Sequence, residues 1–354
     1  MEVLEEDELA LAFLSGRGDC LNVALASLGR NHGVVDPIED AKGGPRRSRS
    51  NPEDVARFLR KYIDIWREGV YDIITQYTTI FLERSLTTPA SQPSKANSTT
   101  SHTLLRTLLT TYASHALTSL LIPTVQHNLA HTPSALPSLL TQLTYCATAF
   151  ARVGLDFRGV LEGLFGDAVK EIMGREMRDA SSNWSDCIRS ARRKRGPQEW
   201  LINPDLVNSP PTGTLSLDAP AHIPPHILAS YPPIAEYTNA LLTSLNGLRL
   251  LAPVKIMSDL VALMDEILED SATVFLSHVR NSGFDDPTGE EVARAAGRVF
   301  VHVFIPFVRR ALVEGVYGVK TISGDANRFE VSGESVLGGV YRELESWLDS
   351  ESGR

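Results

Sequence analysis

SNPEDVARFLRKYIDIWREGVYDIITQYTTIFLE, residues 50–83, decides the fold class. Asn51 suits a helix N-cap, Pro52 the first helical position, and Glu53 and Asp54 the positive end of a helix dipole. Val55, Phe58, Leu59, Tyr62, Trp66, Val70, Ile73, Ile74, Tyr77 and Phe81 then recur at three- and four-residue steps, which predicts one long helix with a single buried stripe. Gly69 is its weak point, because glycine is a poor helix former.

The same period continues along the chain. Helical patterns resume at about 102–130 and 134–152, with a kink expected at Pro123 and a boundary near Pro133, and a further helix is expected over roughly 155–190. PASQPSKANSTT, 89–100, reads as a polar linker that no helix should cross. RRKRGPQEWLINPDLVNSPPTGTLSLDAPAHIPPH, 192–226, is crowded with proline and reads as a long exposed loop or boundary.

YPPIAEYTNALLTSLNGLRLLAP, 231–253, follows, with Pro232 and Pro233 suited to a helix start and Pro253 to its end. Ile234, Tyr237, Leu241, Leu245, Leu248 and Ala252 form one stripe, which Leu242, Leu250 and Leu251 widen, and its only charges are Glu236 and Arg249. A helix so apolar belongs in an interior, where Asn239 and Asn246 would need hydrogen-bond partners. Next, Met257, Leu260, Val261, Met264, Ile267, Leu268 and Phe275 share one face, and Asp259, Asp265, Glu266, Glu269 and Asp270 a solvated opposite one. A long helix over about 288–317 opens with Thr288 and Glu291 in capping-box spacing. Residues 318–339 are irregular, with the glycine spacing of a short hairpin, and a last helix is expected near 336–348. The expectation is all-α: an N-terminal helical region over 1–190 with loops near 31–52 and 89–100, a proline-rich boundary at 191–230 and a C-terminal bundle over 231–354.

Composition narrows the function. A formal net charge of −9 argues against nucleic acid as the main partner, which would need a dominant basic face. Cys20, Cys146 and Cys187 are too scattered for a disulfide framework or a zinc site, which suits a reducing compartment. The acidic start MEVLEEDELA is the opposite of a signal or transit peptide, and the apolar run VFVHVFIPFV, 299–308, is too short to span a bilayer. The expected location is cytosolic or at a membrane surface.

Catalytic motifs are missing. His127 and His131 share a helix face at zinc-ligand spacing, but a metalloprotease pair needs Glu after the first histidine and Asn128 stands there. A metal-dependent hydrolase on these two histidines is therefore the weakest reading. Arg17-Gly18-Asp19 is a chance adhesion tripeptide, and Asn97 and Asn183 are glycosylation sequons by pattern alone. Arg46, Arg47 and Arg49 form one basic loop and Arg192, Arg193, Lys194 and Arg195 another; each fits either anionic lipid or an idle solvated loop. Ser48 and Ser50 sit among these arginines, a setting for phosphorylation without further sequence support. No catalytic, cofactor or metal residues are assigned, no cofactor is expected, and no partner-interface residues can be named.

Three segments, YDIITQYTTIF (71–81), YCATAFARVGLDFRGVLEGLF (145–165) and PPIAEYTNALLTSLNGLRLLAPV (232–254), resemble in order and approximate spacing parts of the conserved oligomeric Golgi complex subunit 8 family. The resemblance implies stacked antiparallel bundles forming an elongated rod, at the cytosolic face of the Golgi membrane as a peripheral protein. It implies a non-catalytic subunit of a multisubunit vesicle tether acting in intra-Golgi retrograde transport and the recycling of resident enzymes. Implied partners are the other subunits, with SNAREs and small GTPases engaged by the whole assembly. The family begins with a long N-terminal helical region, so a start at Met1 just before ELALAFLSGRGDCLNVAL is read as either a truncation or a chosen fragment. A rival reading from the residues alone is a helical lipid- or small-ligand-binding protein with an apolar cavity between bundles.

Overall fold

Asn51 caps its helix as its chemistry requires: the side-chain oxygen accepts from the Glu53 N–H at 3.2 Å, and Pro52 follows in the first turn. The computed structural model describes residues 5–32, 51–83, 95–191, 196–216, 218–281, 286–319 and 338–350. The basic loops at 46–49 and 192–195, Ser48, Ser50, the first half of the 89–100 stretch and almost all of the supposed hairpin lie outside them. The helices are α1 (Glu6–His32), α2 (Pro52–Tyr77), α3 (Lys95–His115), α4 (Ile122–Leu129), α5 (Leu136–Ala151) and α6 (Arg158–Ala191). They continue as α7 (Pro232–Leu248), α8 (Met257–Asn281), α9 (Pro287–Val299), α10 (Ile305–Arg310) and α11 (Gly338–Asp349). No strand occurs among the described residues, so the fold is all-α. The chain divides into two compact units, Met1–Ala168 and Val169–Arg354.

In the first unit, every stripe residue expected from Val55 to Phe81 is buried, with Trp66, Val70 and Tyr77 fully so. Trp66 packs on Phe150 and Phe157 at centroid distances of 5.1 and 6.1 Å. α1 lays Ala10, Leu14, Leu21, Leu25 and Leu28 inward and seats on α2. The apparent flaw at Gly69 is what permits the seat, since a Cβ there would stand 2.6 Å from Leu21 Cδ1. α3 starts at Lys95, so the second half of the polar 89–100 stretch is helix, not linker. No proline or glycine follows Pro93 until Pro123, so nothing in that half opposes the helix. The turn that closes α5 ends at Gly154, whose φ of 90° is left-handed, with the Leu155 N–H returning to Phe150 O at 3.0 Å.

Prolines inside helical paths are accommodated by wide turns. Before Pro123 the residues Ala116–Leu121 form a π-type turn, and Ile122 N–H reaches back five residues to Leu117 O. Before Pro306, Phe300–Phe304 do the same, with Ile305 N–H on Phe300 O. Backbone carbonyls in and beside these turns have spare capacity, and side chains from elsewhere in the same unit use it. Trp66 Nε1 donates to Ala116 O and the Tyr62 hydroxyl to Leu120 O, each at 3.0 Å. In the second unit the Tyr341 hydroxyl donates to Val301 O at 2.7 Å. Pro306 has no N–H for His302 O, and that carbonyl takes the Leu215 N–H at 3.1 Å instead.

That last bond explains the proline-rich stretch. It was expected to mark the boundary, yet the division falls upstream of it, inside α6. The stretch is tied to the second unit: besides Leu215, the Tyr231 hydroxyl donates to Pro211 O at 2.6 Å and Asn203 Nδ2 to Ala229 O at 3.1 Å. It behaves as a strap on one unit.

Candidate docking surfaces

The question for 231–253 is what covers its apolar face. α7 buries Ile234, Tyr237, Leu241, Leu245 and Leu248 against its own unit. Tyr237 lies 5.4 Å from Trp184 and 5.0 Å from Phe304, and Trp184 stacks on Phe300 at 5.3 Å. Aromatic rings therefore pack against this face of α7. A buried polar knot sits among them. The Tyr237 hydroxyl is 2.9 Å and Ser181 Oγ 3.2 Å from Ser271 Oγ, which donates to Ile267 O at 2.7 Å, and Trp184 Nε1 donates to Ser271 O. Each member is satisfied, so the knot fixes how the helices mesh.

Three sequence expectations are corrected here. Asn239 and Asn246 are exposed, in line with Glu236 and Thr243, so α7 has a solvent face after all. That face carries Glu236 as its only charge and is otherwise neutral and polar, which is why counting charges missed it. Asp265 is not on the solvated face of α8: it is paired with Arg309, their side chains 13% and 11% exposed, with Arg309 Nε 2.9 Å from Oδ1. Likewise Asp286, not Thr288, caps α9, accepting from the Thr288 N–H at 3.1 Å.

The titratable groups with displaced pKa values do not converge. Burial pushes the Tyr77, Tyr231 and Tyr237 phenols up to about 12. Tyr77 and Tyr231 donate to backbone carbonyls and Tyr237 joins the serine knot, which are structural roles. Burial likewise raises the Cys146 thiol to about 12, keeping it protonated and inert. The Asp156 carboxyl is held at about 2 by hydrogen bonds from Arg158 just before α6. His127 and His131 are exposed with rings 6.3 Å apart, and no group of three or more metal-capable side chains occurs among the described residues.

What remains are outward apolar side chains on rigid helices. Within 71–81, Ile73, Ile74, Tyr77 and Phe81 are core, while Tyr71 and Ile80 reach solvent. Within 145–165, Cys146, Phe150, Phe157, Leu161, Leu164 and Phe165 are core, while Val160 is partly exposed and Tyr145 is 73% exposed on α5. In the third segment Leu250 and Val254 stand out in the same way. α1 also turns Leu9, Leu11 and Val23 to solvent. The segment Glu6–Arg30 is long and apolar enough by composition to cross a membrane, although its inner stripe is seated on α2. Of these outward residues sequence reading named only Leu250, and as part of an interior stripe, which its 76% exposure corrects; alternation against the buried stripe was the available signal.

The sequence model of the Dor1-like family matches residues 48–182, which run from the α2 cap through most of α6. Over this stretch the chain is similar to the Dor1-like family. Its curated relatives are similar over nearly the whole of it. Conserved oligomeric Golgi complex subunit 8 of Drosophila melanogaster is 24% identical over 91% of this chain and 51% of its own length. The Bos taurus and Homo sapiens proteins of that name are each 26% identical over 88% of this chain, and 45% and 46% of theirs. The chain thus spans about half the length of the relatives it matches. No solved structure matches it.

Proposed function

We propose that the chain is a non-catalytic, structural subunit of a Golgi vesicle-tethering complex. In this reading it holds neighbouring subunits through outward side chains such as Tyr145 and Val160, and is a peripheral protein of the cytosolic face of the Golgi membrane. The assembly would serve intra-Golgi retrograde transport and the recycling of resident enzymes, engaging SNAREs and small GTPases as a whole. One observation carries the proposal: relatives named as subunits of the conserved oligomeric Golgi complex match 88% or more of the chain. Its helical architecture agrees, because exposed apolar side chains on rigid helices are suited to docking other proteins.

Affinity purification of the tagged full chain from cells, followed by mass spectrometry, tests this. Other subunits of the Golgi complex are the expected co-purifying proteins, and Tyr145→Asp should weaken their recovery. Recovery of the chain as a clean monomer would count decisively against the proposal.

A further inference from the structure

α1 carries more apolar surface than its seat on α2 covers. Glu6–Arg30 has the composition of a membrane-crossing helix, yet only 22% of its most apolar stretch is buried. Away from the buried residues, Leu9, Ala12, Gly16, Cys20 and Val23 recur at three- and four-residue steps and form one exposed stripe. Leu9 is 51% and Val23 66% exposed. Gly16 stands at its centre. Gly18 and Gly69 are explained inside the chain, because a Cβ at either would press on Tyr112 or Leu21, but a Cβ at Gly16 would meet nothing within 4 Å. A glycine in mid-helix weakens the helix, and here only a surface outside the chain can use the close approach it permits.

The stripe reads the same in both directions: large, small, glycine, small, large. Turned end for end about Gly16, Leu9 comes opposite Val23 and Ala12 opposite Cys20. The exposed polar residues of one flank follow the same symmetry. Ser15 falls two residues out of register from Asp19, and Glu5 three from Arg30, offsets that their side chains span. Antiparallel pairing also opposes the two helix dipoles. A two-fold interface demands that one patch complement itself, which docking to an unrelated protein does not. A bilayer fits worse. Glu5, Glu6, Asp7 and Glu8 gather at the start of α1, where an anionic leaflet would repel them, and Arg17 and Asp19 stand mid-helix.

We infer that α1 is a self-association surface: two copies of the chain pair their exposed stripes antiparallel across a two-fold axis at Gly16, with Glu5 of each copy set on Arg30 of the other. The tether reading neither requires nor forbids this pairing, so the two stand or fall separately.

Sedimentation velocity of the purified full chain over a range of concentrations provides the test. One helix pair is a small interface, so a dimer that dissociates on dilution is expected. Leu9→Glu/Val23→Glu should weaken it by about tenfold or more, because it sets acids inside the contact, and unchanged thermal unfolding would show that the fold is kept. Glu5→Arg should weaken the dimer and Glu5→Arg/Arg30→Glu restore it, a rescue that only a second copy can give. In a Cys20→Ser background, Gly16→Cys should form a disulfide-linked dimer under copper phenanthroline and Val23→Cys should not, since only residues near the axis meet their own counterparts. Wild-type protein that stays monomeric at every concentration would overturn the inference, as would a dimer untouched by Leu9→Glu/Val23→Glu. Cross-linking of Val23→Cys as readily as Gly16→Cys would overturn the antiparallel arrangement. If wild type is monomeric and Leu9→Glu/Val23→Glu loses only the recovery of other Golgi subunits, the stripe belongs to a different protein and the inference fails while the tether reading holds.

Discussion

Gly69 on α2 and Leu21 on α1 interlock: the space a Cβ at position 69 would need is already occupied, 2.6 Å away, by a Leu21 methyl. The one glycine in α2 is therefore a place where a side chain of α1 closes on its backbone, and the helix accepts a local cost for close packing.

A bulky side chain at that point should unseat α1. Gly69→Leu is expected to destabilise the first unit by roughly 1–3 kcal/mol, the range for overpacking. Adding Leu21→Ala should restore part of that loss. Urea unfolding of the single and double variants measures both, and strict additivity would mean the two sites do not touch.

Trp66 supplies the indole N–H that satisfies Ala116 O inside the wide turn. Trp66→Phe keeps an aromatic ring but strands a buried carbonyl, for an expected loss of about 1–3 kcal/mol. Tyr62→Phe removes a similar bond at a less buried site and should cost about 1 kcal/mol. Equal effects in chemical denaturation would contradict this ordering.

Pro306→Ala returns a backbone donor beside His302 O and sets it in competition with Leu215. The amide of Leu215 should then exchange faster in hydrogen-exchange measurements, while protection over 300–310 holds or improves. Unchanged exchange at Leu215 would show that the proline is not what frees the carbonyl for the strap.

Asp265 supplies the pH dependence. Burial raises its carboxyl pKa, and the Arg309 guanidinium pulls it back down. In Arg309→Met only the upward influence remains, so the native state keeps a proton that the unfolded chain releases at about pH 4. Stability contributed by the protonated form is then full below that pH and is lost as the pH rises through the folded value. Melting curves from acid to neutral pH should show Arg309→Met falling away from wild type. Asp265→Leu/Arg309→Met, with no buried charge, should stay level and recover most of the stability.

Helix existence and core composition were legible because burial follows period. Each stripe residue from Val55 to Phe81 is inside, and Asn51 caps as its side chain dictates. The docking residues were not legible, because Tyr145 differs from its buried neighbour Cys146 only in the direction it points. Asp265 misled because the cation that draws it inward, Arg309, is distant in sequence. Pro123 and Pro306 were visible, but the wide turns that absorb them come from packing. Asn239 and Asn246 misled for the opposite reason, since a polar face with Glu236 as its only charge looks interior when only charges are counted.

The wide turn Ala116–Leu121 also bears on how such a chain can change length. Each of its rings closes over one residue more than an ordinary helical ring, so it holds slack that the rest of the bundle lacks. Removing a residue there would let the backbone relax to regular winding, with Leu129 and Val125 still facing inward. The same deletion a few turns earlier, in α3, would swing every later side chain around the axis by about 100°. Single-residue gaps among related chains should therefore collect at these turns.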